Sequence, residues 1–280
     1  IKSQEDSILR YQEKYTREVI KESKVDVDGT APTPHQNTLF DEDEEPILLP
    51  EISKKWFVRF VMKLMFIATR TRPDILMAVN HLSSKCHRAT EGDMKKLHRI
   101  IKYLNLTPHL GITYERGAGM RIYAWIDASY ASHADARSHT GVIIGIGQNP
   151  LGLILAKSSA QKLTSRSSTE AEFNGMHTSY PHVLWVYEYL KGWGYDEGIP
   201  VLYQDNISTI ISSHQGYKPF SKLSHMNVRF FSIKEKIENG ELKVEHLGTT
   251  KMKSDSLSKA TTSNLLFQNQ RDDYMNIKNK

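Results

Sequence analysis

Acidic residues stand at the ends of strand-like segments, where a sheet can bring them together. Asp127 ends an alternating apolar and polar segment that begins at Arg121. Asp205 ends a second short apolar segment, and Asp255 lies in a short helical segment near the C-terminus. Because neighbouring strand ends converge at one edge of a sheet, side chains that are distant in sequence can share a pocket there.

Carboxylates gathered in one pocket indicate a metal site. Three or four of them would repel one another strongly unless cations neutralised them. Oxygen ligands suit magnesium, with manganese as the alternative. Two such ions about 4 Å apart can hold both the attacking water and the leaving oxygen of a phosphodiester. Each aspartate also has a plainer interpretation, because Asp at a strand end or before a helix often only forms a turn or a cap.

A long helical pattern from Ser167 to Leu190 offers two glutamates, and geometry favours one of them. Residues two apart on a helix point about 200° apart, so only one of the two can face the sheet. Ser167 and Glu170 fit a capping box, in which Glu170 reaches back to the Ser167 amide. Glu172 shares a face with Met176 at the edge of the apolar stripe. We therefore assign the ligand role to Glu172 and the cap role to Glu170.

The elements that position these carboxylates change in type along the chain. Helical periodicity dominates from Trp56 to Leu104, with Thr90 as an N-cap. From Gly111 the period becomes strand-like, and three strands joined by short connections suggest an antiparallel meander. Further strands then alternate with helices. The pattern predicts an α+β or α/β fold, a mixed five-stranded sheet flanked by helices. The polar tail after Thr261 is predicted to be poorly ordered.

Composition excludes several classes of protein. Of 280 residues, 39% are hydrophobic and 25% charged, which is enough to bury a core and unlike a disordered tail. The single cysteine, Cys86, excludes an intramolecular disulfide and a Cys-based zinc cage. The most apolar run, from Trp56 to Ala68, is too short to span a bilayer and contains Arg59 and Lys63, so we expect no membrane partner.

The ends and the charge of the chain give weaker indications. The chain begins at Ile1 without a charged and then apolar leader, so we expect a piece of a longer product that is not secreted. Lys and Arg number 37 against 32 acidic residues, a net charge of +5 that mildly favours a polyanionic partner. A helical segment places four cations on one side, either as a solvated face or as a stripe that follows phosphates. These cations are Lys95, Lys96, Arg99 and Lys102.

Five motifs occur in one order along the C-terminal half of the chain. They are Trp125-Ile-Asp127-Ala-Ser, Arg137-Ser-His-Thr-Gly141, Ser165-Arg-Ser-Ser-Thr-Glu-Ala-Glu172-Phe173, Tyr203-Gln-Asp205-Asn206 and Ser224-His225-Met-Asn-Val-Arg229-Phe. Together they closely resemble the ribonuclease H domain of copia-type LTR retrotransposon Pol polyproteins. The string Ser-Ser-Thr-Glu-Ala-Glu is the most specific of them.

The resemblance extends upstream and implies a domain organisation. Thr71-Arg72-Pro73-Asp74-Ile75 resembles the connector between reverse transcriptase and ribonuclease H, and Gln12-Glu-Lys-Tyr15 resembles the end of the polymerase region. The implied segments are the end of the reverse transcriptase with an acidic linker (1–50), a smaller, mainly helical connector (51–112), a ribonuclease H-like domain (113–262) and a polar tail (263–280). The chain contains no Tyr-x-Asp-Asp polymerase motif, so we expect no polymerisation by this fragment.

The resemblance implies cleavage of the RNA strand of an RNA–DNA hybrid by metal-activated water, with two Mg²⁺ ions or Mn²⁺. The polymerase part of the same polyprotein is the implied partner, in a cytoplasmic particle with a nuclear phase at integration. The implied catalytic and metal-holding set is Asp127, Glu172, Asp205 and Asp255. The implied substrate contacts are Ser129, Lys157, Lys162, Asn206, His225 and Arg229. For His225, a structural role at a helix start remains the alternative.

The chain departs from the family pattern at several positions. Ala156 replaces a tryptophan, and Ser159 with Ala160 replaces paired lysines. Pro181 interrupts the long helix, where an interior proline costs about 3 kcal/mol or kinks it. Ser224, Ser254 and the pair Met62-Lys63 also differ from the family. Three hypotheses follow: a magnesium-dependent endoribonuclease, an inactive remnant that binds nucleic acid, and an exonuclease on the same general fold that releases mononucleotides.

Overall fold

The chain forms two compact units in a computed structural model that describes residues 1–4, 6–215, 227–260 and 263–278. The first unit contains residues 1–115, 157–159 and 260–280, and the second contains residues 116–156 and 160–259. All four predicted carboxylates lie in the second unit. The predicted segment boundaries at residues 50, 112 and 262 stay a prediction.

Helices and strands are distributed over both units. The described strands are β1 (Lys2–Gln4), β2 (Ser7–Tyr11), β3 (Gly111–Glu115), β4 (Ile122–Ser129), β5 (His139–Ile146), β6 (Gly152–Ala160), β7 (Val201–Gln204) and β8 (Lys243–His246). The described helices are α1 (Glu13–Ser23), α2 (Glu51–Arg70), α3 (Leu76–Ser84), α4 (Glu91–Leu106), α5 (Ser168–Gly192), α6 (Ile207–Gln215), α7 (Asn227–Glu238), α8 (Asp255–Ser258) and α9 (Asn264–Met275). Among these described helices, none combines the length and apolar character needed to cross a membrane.

The first unit is mainly helical and also contains a small sheet. The strands β1, β2 and β3 pair antiparallel in that order, with Tyr11 opposite Gly111. The predicted N-cap of α4 is confirmed, because the Thr90 hydroxyl accepts a hydrogen bond from the Asp93 amide at 3.2 Å. The Asp93 carboxylate returns a bond to the Thr90 amide at 3.0 Å, which completes a capping box.

Three cations on α4 bind the segment of residues 28–41 within the first unit. The Lys96 ammonium donates to the Asp41 carbonyl at 2.7 Å, and that of Lys102 donates to the Asp28 carbonyl at 2.8 Å. The Arg99 guanidinium donates to the Thr33 hydroxyl at 3.0 Å. Each of these three side chains therefore anchors a segment that lacks regular structure, whereas the fourth cation, Lys95, is exposed. The solvated face and the stripe that follows phosphates both stay predictions.

A buried ion pair stabilises the helical part of the first unit. Arg72 donates to both carboxylate oxygens of Asp74, with distances of 3.0 Å from Nε to Oδ1 and 2.8 Å from Nη2 to Oδ2. The Tyr103 hydroxyl donates to the same carboxylate at 2.6 Å. Burial alone would raise the pKa of Asp74, but the Arg72 guanidinium beside it holds that pKa below its usual range.

The prediction of a poorly ordered C-terminal tail is wrong. Residues 264–275 form α9, whose first turn is capped by the Ser263 hydroxyl. Phe267 and Tyr274 are fully buried, and Arg271 donates a hydrogen bond to the Tyr103 hydroxyl at 3.1 Å. The tail is polar in composition, but its few apolar residues recur at helical spacing and pack into the first unit.

The second unit is built on the predicted mixed sheet. Across its described residues the strand order is β6-β5-β4-β7-β8. The pair β4 and β5 is antiparallel, whereas β7 is parallel to both β4 and β8. Apolar residues of the strands and of α5, including Ile126, Ile144, Phe173 and Leu202, form a common core. The expected ribonuclease H-like fold class, a mixed five-stranded sheet flanked by helices, is confirmed for this part of the chain.

Helix α5 crosses this sheet and continues through Pro181, so the expected interruption does not occur. Buried residues lie on both sides of the proline, with Phe173 and Met176 before it and Val183 and Val186 after it. Packing of both halves on one core offsets the missing backbone hydrogen bond. The helix therefore keeps its N-terminal turns, which include Glu172, against the sheet.

Candidate metal centre

Three of the four predicted carboxylates meet in the second unit. Asp127 lies near the end of β4, Glu172 in the second turn of α5, and Asp205 directly after β7. One carboxylate oxygen from each lies within 4.8 Å of the other two. Asp127 and Glu172 are buried, and Asp205 is half-buried. The cluster is thus partly open to solvent on the Asp205 side.

Strand pairing explains why the two aspartates are neighbours. In the parallel pair of β4 and β7, Trp125 lies opposite Tyr203, and their ring centroids are 5.5 Å apart. Asp127 and Asp205 each come two residues after this pair. Because parallel strands advance equally, both side chains reach the same edge of the sheet.

Glu172 is held in place by groups of the sheet. Its Oε2 accepts hydrogen bonds from the Ala128 amide at 3.0 Å and from the Gln204 amide group at 3.4 Å. The helix comes close because Gly175 faces the sheet, where a Cβ would lie only 3.2 Å from the Thr140 side chain. A larger residue at this position would push the glutamate away from the aspartates.

The role of Glu170 as a cap requires one correction. The Ser167 hydroxyl accepts from the Glu170 amide at 3.2 Å, as expected for an N-cap. The Glu170 carboxylate, however, accepts from the Arg166 amide at 2.8 Å rather than from the Ser167 amide. The extended backbone of Ser167 leaves the preceding amide within reach of the carboxylate. The side chain of Glu170 is therefore engaged at the helix start, and Glu172 alone of the two joins the cluster.

Electrostatics in the cluster favour a bound cation. Burial and the charges of Asp127 and Asp205 raise the pKa of Glu172 to about 9. Burial also raises the pKa of Asp127, and Asp255 and Asp205 add to the effect. Carboxylates held this close are stable together only when protons or cations reduce their charge. The all-oxygen donor set fits a hard divalent ion such as Mg²⁺ or Mn²⁺.

Asp255 lies outside this cluster of three and is linked to it through Lys259. The Lys259 ammonium is 3.1 Å from Asp255 Oδ1 and 3.1 Å from Asp127 Oδ2. Ser258 also donates a hydrogen bond to Asp127 Oδ2. Burial alone would lower the pKa of Lys259, but the two aspartates raise it above its usual value. Lys259 and Ser258 are not among the residues that the sequence indicates, although the four-residue spacing of Asp255 and Lys259 is typical of a helical ion pair.

Two predicted substrate contacts are adjacent to the aspartates and bonded within the fold. The Ser129 hydroxyl lies 2.8 Å from both the Ser258 carbonyl oxygen and the Ser132 hydroxyl. Asn206 caps α6, since its side-chain oxygen accepts from the Thr209 amide at 3.1 Å. Both side chains therefore have clear structural roles beside the cluster.

Three of the other predicted substrate contacts lie on α7, in β6 and shortly after β6. Arg229 on α7 donates a hydrogen bond to the Asn174 side chain on α5. Lys157 is half-buried in β6, and Lys162 is exposed shortly after that strand. His225 lies outside the described residues.

Curated relatives decide the family of the chain. It is 33% identical over 202 residues to the retrovirus-related Pol polyprotein from transposon RE1 of Arabidopsis thaliana, and 28% identical over 206 residues to that from transposon TNT 1-94 of Nicotiana tabacum. The matches cover 71% and 73% of this chain but only 13% and 15% of those relatives. The chain belongs to the retrovirus-related Pol polyproteins of transposons. No protein-family model matches this Pol chain.

Solved structures similar to this Pol chain include ribonucleases H. Ribonuclease H1 from Halobacterium salinarum is 14% identical and covers 49% of this chain and 94% of its own, with a TM-score of 0.34. The PFV RNase H domain is 11% identical and covers 55% and 95%, with a TM-score of 0.37. The second unit thus combines a mixed five-stranded sheet, of the ribonuclease H-like fold class, with a cluster of three carboxylates at one sheet edge, in a segment of a Pol polyprotein.

Proposed function

We propose that this chain cuts the RNA strand of RNA–DNA hybrids internally and depends on divalent cations, as part of a copia-type retrotransposon Pol polyprotein. The observation that carries the proposal is the meeting of Asp127, Glu172 and Asp205 within 4.8 Å at one sheet edge. Membership of the Pol family supports a hybrid as the substrate. The polymerase part of the same polyprotein is the proposed partner, in a cytoplasmic particle.

The proposed metal-holding residues are Asp127, Glu172, Asp205 and Asp255. When bound, two Mg²⁺ ions would supply Lewis acidity for hydrolysis of a phosphodiester, and Mn²⁺ is the alternative.

Neighbouring groups keep the carboxylates oriented for this task. The Ala128 amide and Gln204 fix Glu172, and the Thr249 hydroxyl donates to Asp205 at 2.8 Å. Such partners restrict ligand rotamers before any ion arrives, which lowers the cost of binding.

The residues proposed to contact the hybrid differ in how free they are to do so. Lys162 is exposed and can pair with a phosphate, as proposed also for Lys157 and Arg229. Ser129 and Asn206 lie next to the aspartates. Contacts from these side chains to 2′-hydroxyl groups of the RNA strand would distinguish a hybrid from double-stranded DNA. Their hydrogen bonds within the fold must be shared or exchanged to make such contacts.

A cleavage assay tests the proposal. The substrate is a hybrid whose RNA strand is labelled at one end, incubated with the full chain and Mg²⁺. We expect internal RNA fragments from the wild type and none from Asp127→Asn. Asp135→Asn is the matched control, because Asp135 is a surface aspartate of the same unit that pairs with Arg137 at 2.6 Å. Equal cleavage by Asp127→Asn and the wild type would refute the proposal, and mononucleotide products would indicate the exonuclease alternative.

A second candidate function is an inactive remnant that binds nucleic acid. Ala156, Ser159 and Ala160 favour it, because they stand where the family has a tryptophan and paired lysines. This candidate predicts hybrid binding that weakens steeply with salt, without cleavage at any Mg²⁺ concentration. RNA cutting that EDTA abolishes would exclude it.

A further inference from the structure

Lys259 places a positive charge inside the carboxylate site. Its ammonium group lies 3.2 Å from Asp127 Oδ1, 3.1 Å from Asp127 Oδ2 and 3.1 Å from Asp255 Oδ1. It therefore contacts both oxygens of the fully buried aspartate and bridges to the aspartate that lies outside the cluster of three. A divalent cation held by the same two aspartates would need this position, because both cations require the same oxygens.

Packing of α8 fixes where the lysine can reach. The Lys259 amide donates to the Asp255 carbonyl at 2.9 Å, so Lys259 directly follows the single turn of α8. Ser258, the preceding residue, is bonded to Asp127 as well. The side chain thus extends to Asp127 from a backbone segment whose preceding residues, 256–258, are buried.

The side chain can nevertheless leave the site. Its exposed fraction is 40%, whereas that of Asp127 is 0%. A lysine has a flexible four-carbon stem and a strongly hydrated ammonium group, so it can withdraw into water when another cation arrives. Asp127 has no such freedom and stays available as a ligand.

We propose that Lys259 is a resident cation of the site, which occupies the side between Asp127 and Asp255 and competes there with a divalent ion. The side formed by Asp127, Glu172 and Asp205 remains open to a divalent ion. This inference rests on the proposed function, since it concerns how the same carboxylates are loaded with metal. Lys259 acts as a positioning residue. It reduces the repulsion between the carboxylates when no metal is bound, and it sets the concentration of divalent ion that is needed to displace its ammonium group.

Binding of Mn²⁺ to the metal-free full chain, measured by calorimetry, tests the proposal without any substrate. Lys259→Gln removes the charge at nearly constant length, and Lys259→Arg keeps it. Lys234→Gln is the matched control, because Lys234 pairs with Glu238 at 3.4 Å on α7. We expect Lys259→Gln to bind Mn²⁺ about tenfold more tightly between Asp127 and Asp255. Lys259→Arg and Lys234→Gln should bind Mn²⁺ as the wild type does. Unchanged or weaker binding by Lys259→Gln would overturn the proposal.

Thermal unfolding provides a second test. If Lys259 only supported the fold, its substitution would lower the unfolding temperature equally with and without metal. We expect Lys259→Gln to unfold at a lower temperature than the wild type in EDTA, because the carboxylates lose their cation. In saturating Mn²⁺ the difference should shrink, since the metal replaces the missing charge. An equal loss under both conditions would mean that Lys259 only supports the fold, and would overturn the proposal.

The outcome is independent of cleavage. If the wild type binds Mn²⁺ with the expected lysine dependence but does not cut a hybrid, the proposed function fails and the role of Lys259 stands. If the wild type cuts the hybrid and Lys259→Gln binds Mn²⁺ unchanged, only the role of Lys259 fails.

Discussion

Gly141 lies directly opposite Asp127 in the antiparallel pair of β4 and β5. A Cβ on Gly141 would lie 2.6 Å from the Ser254 carbonyl oxygen and 2.8 Å from the Ser258 amide nitrogen. Because these are backbone atoms of the α8 segment, no side-chain rotation can relieve the clash. The absence of a side chain at residue 141 is what lets Ser258 and Lys259 reach Asp127.

Substitution of this glycine should disturb the site and the fold together. We expect Gly141→Ala to lower the free energy of unfolding by about 1–3 kcal/mol, because α8 must move away from the strand. Urea unfolding of the metal-free protein measures the change. The control is Gly192→Ala at the end of α5, where a Cβ meets no atom within 4 Å. It should change stability by less than about 1 kcal/mol, and an equal loss in both variants would contradict the account.

The buried pair of Arg72 and Asp74 should be a main support of the first unit. We expect Asp74→Asn to destabilise the protein by about 3–5 kcal/mol, because the Arg72 charge stays buried without its partner. Chemical denaturation monitored by circular dichroism is the measurement. Removing the surface ion pair through Asp135→Asn should cost less than about 1 kcal/mol. A loss below 1 kcal/mol in Asp74→Asn would show that the network is not a main support.

Much of the second unit could be predicted from local pattern. The strand-like segment that ends at Asp127 predicts β4, and the spacing of Phe173 and Met176 predicts the buried face of α5. Because such strands and helices must bury their apolar residues against one another, the mixed sheet with flanking helices followed from them. Thr90 was equally predictable as a cap, because capping depends on residues three positions apart.

Elements that depend on distant partners could not be predicted in this way. The strands β1 and β2 are only three and five residues long. They pair with each other, and β2 also pairs with β3, so that Tyr11 lies opposite Gly111, which is far away in the sequence. Helix α9 is polar on average and is ordered because Phe267 and Tyr274 enter a core built by other segments. In both cases the order of the element depends on residues that lie far away in the sequence.

In the candidate site, too, some residues could be predicted from local sequence and others could not. Strand ends and the family motifs indicated Asp127, Glu172 and Asp205 from the sequence. The contact of Lys259 with Asp127 was not predictable, because it requires α8 to lie against Gly141, which is a property of tertiary packing.

His35 should make stability depend on pH in the acid range. Burial lowers its pKa from 6.5 to about 4, and its ring packs edge-on against Phe267 with centroids 5.6 Å apart. Below pH 6.5 the unfolded chain takes up a proton that the folded chain does not bind, so stability falls until about pH 4. We expect a loss on the order of 3 kcal/mol over this window from the shift in pKa.

The measurement is urea unfolding of the wild type and His35→Gln at several pH values between 7 and 4. The advantage of the wild type over His35→Gln should shrink by the stated amount as the pH falls. His109→Gln serves as the control, because His109 is exposed in the same unit. A pH-independent difference between wild type and His35→Gln would mean that the folded protein accepts the proton at residue 35.

The central claim is tested most directly by comparing two glutamates on one helix. The measurement is the initial rate of cleavage of the RNA strand in an RNA–DNA hybrid with Mg²⁺. Glu172 belongs to the carboxylate cluster, whereas Glu170 accepts from the Arg166 amide at the start of α5. We predict that Glu172→Gln lowers the rate about a hundredfold or more, and that Glu170→Gln stays within a few-fold of the wild type. Equal rates for the two variants would contradict the claim that Asp127, Glu172 and Asp205 form the catalytic centre.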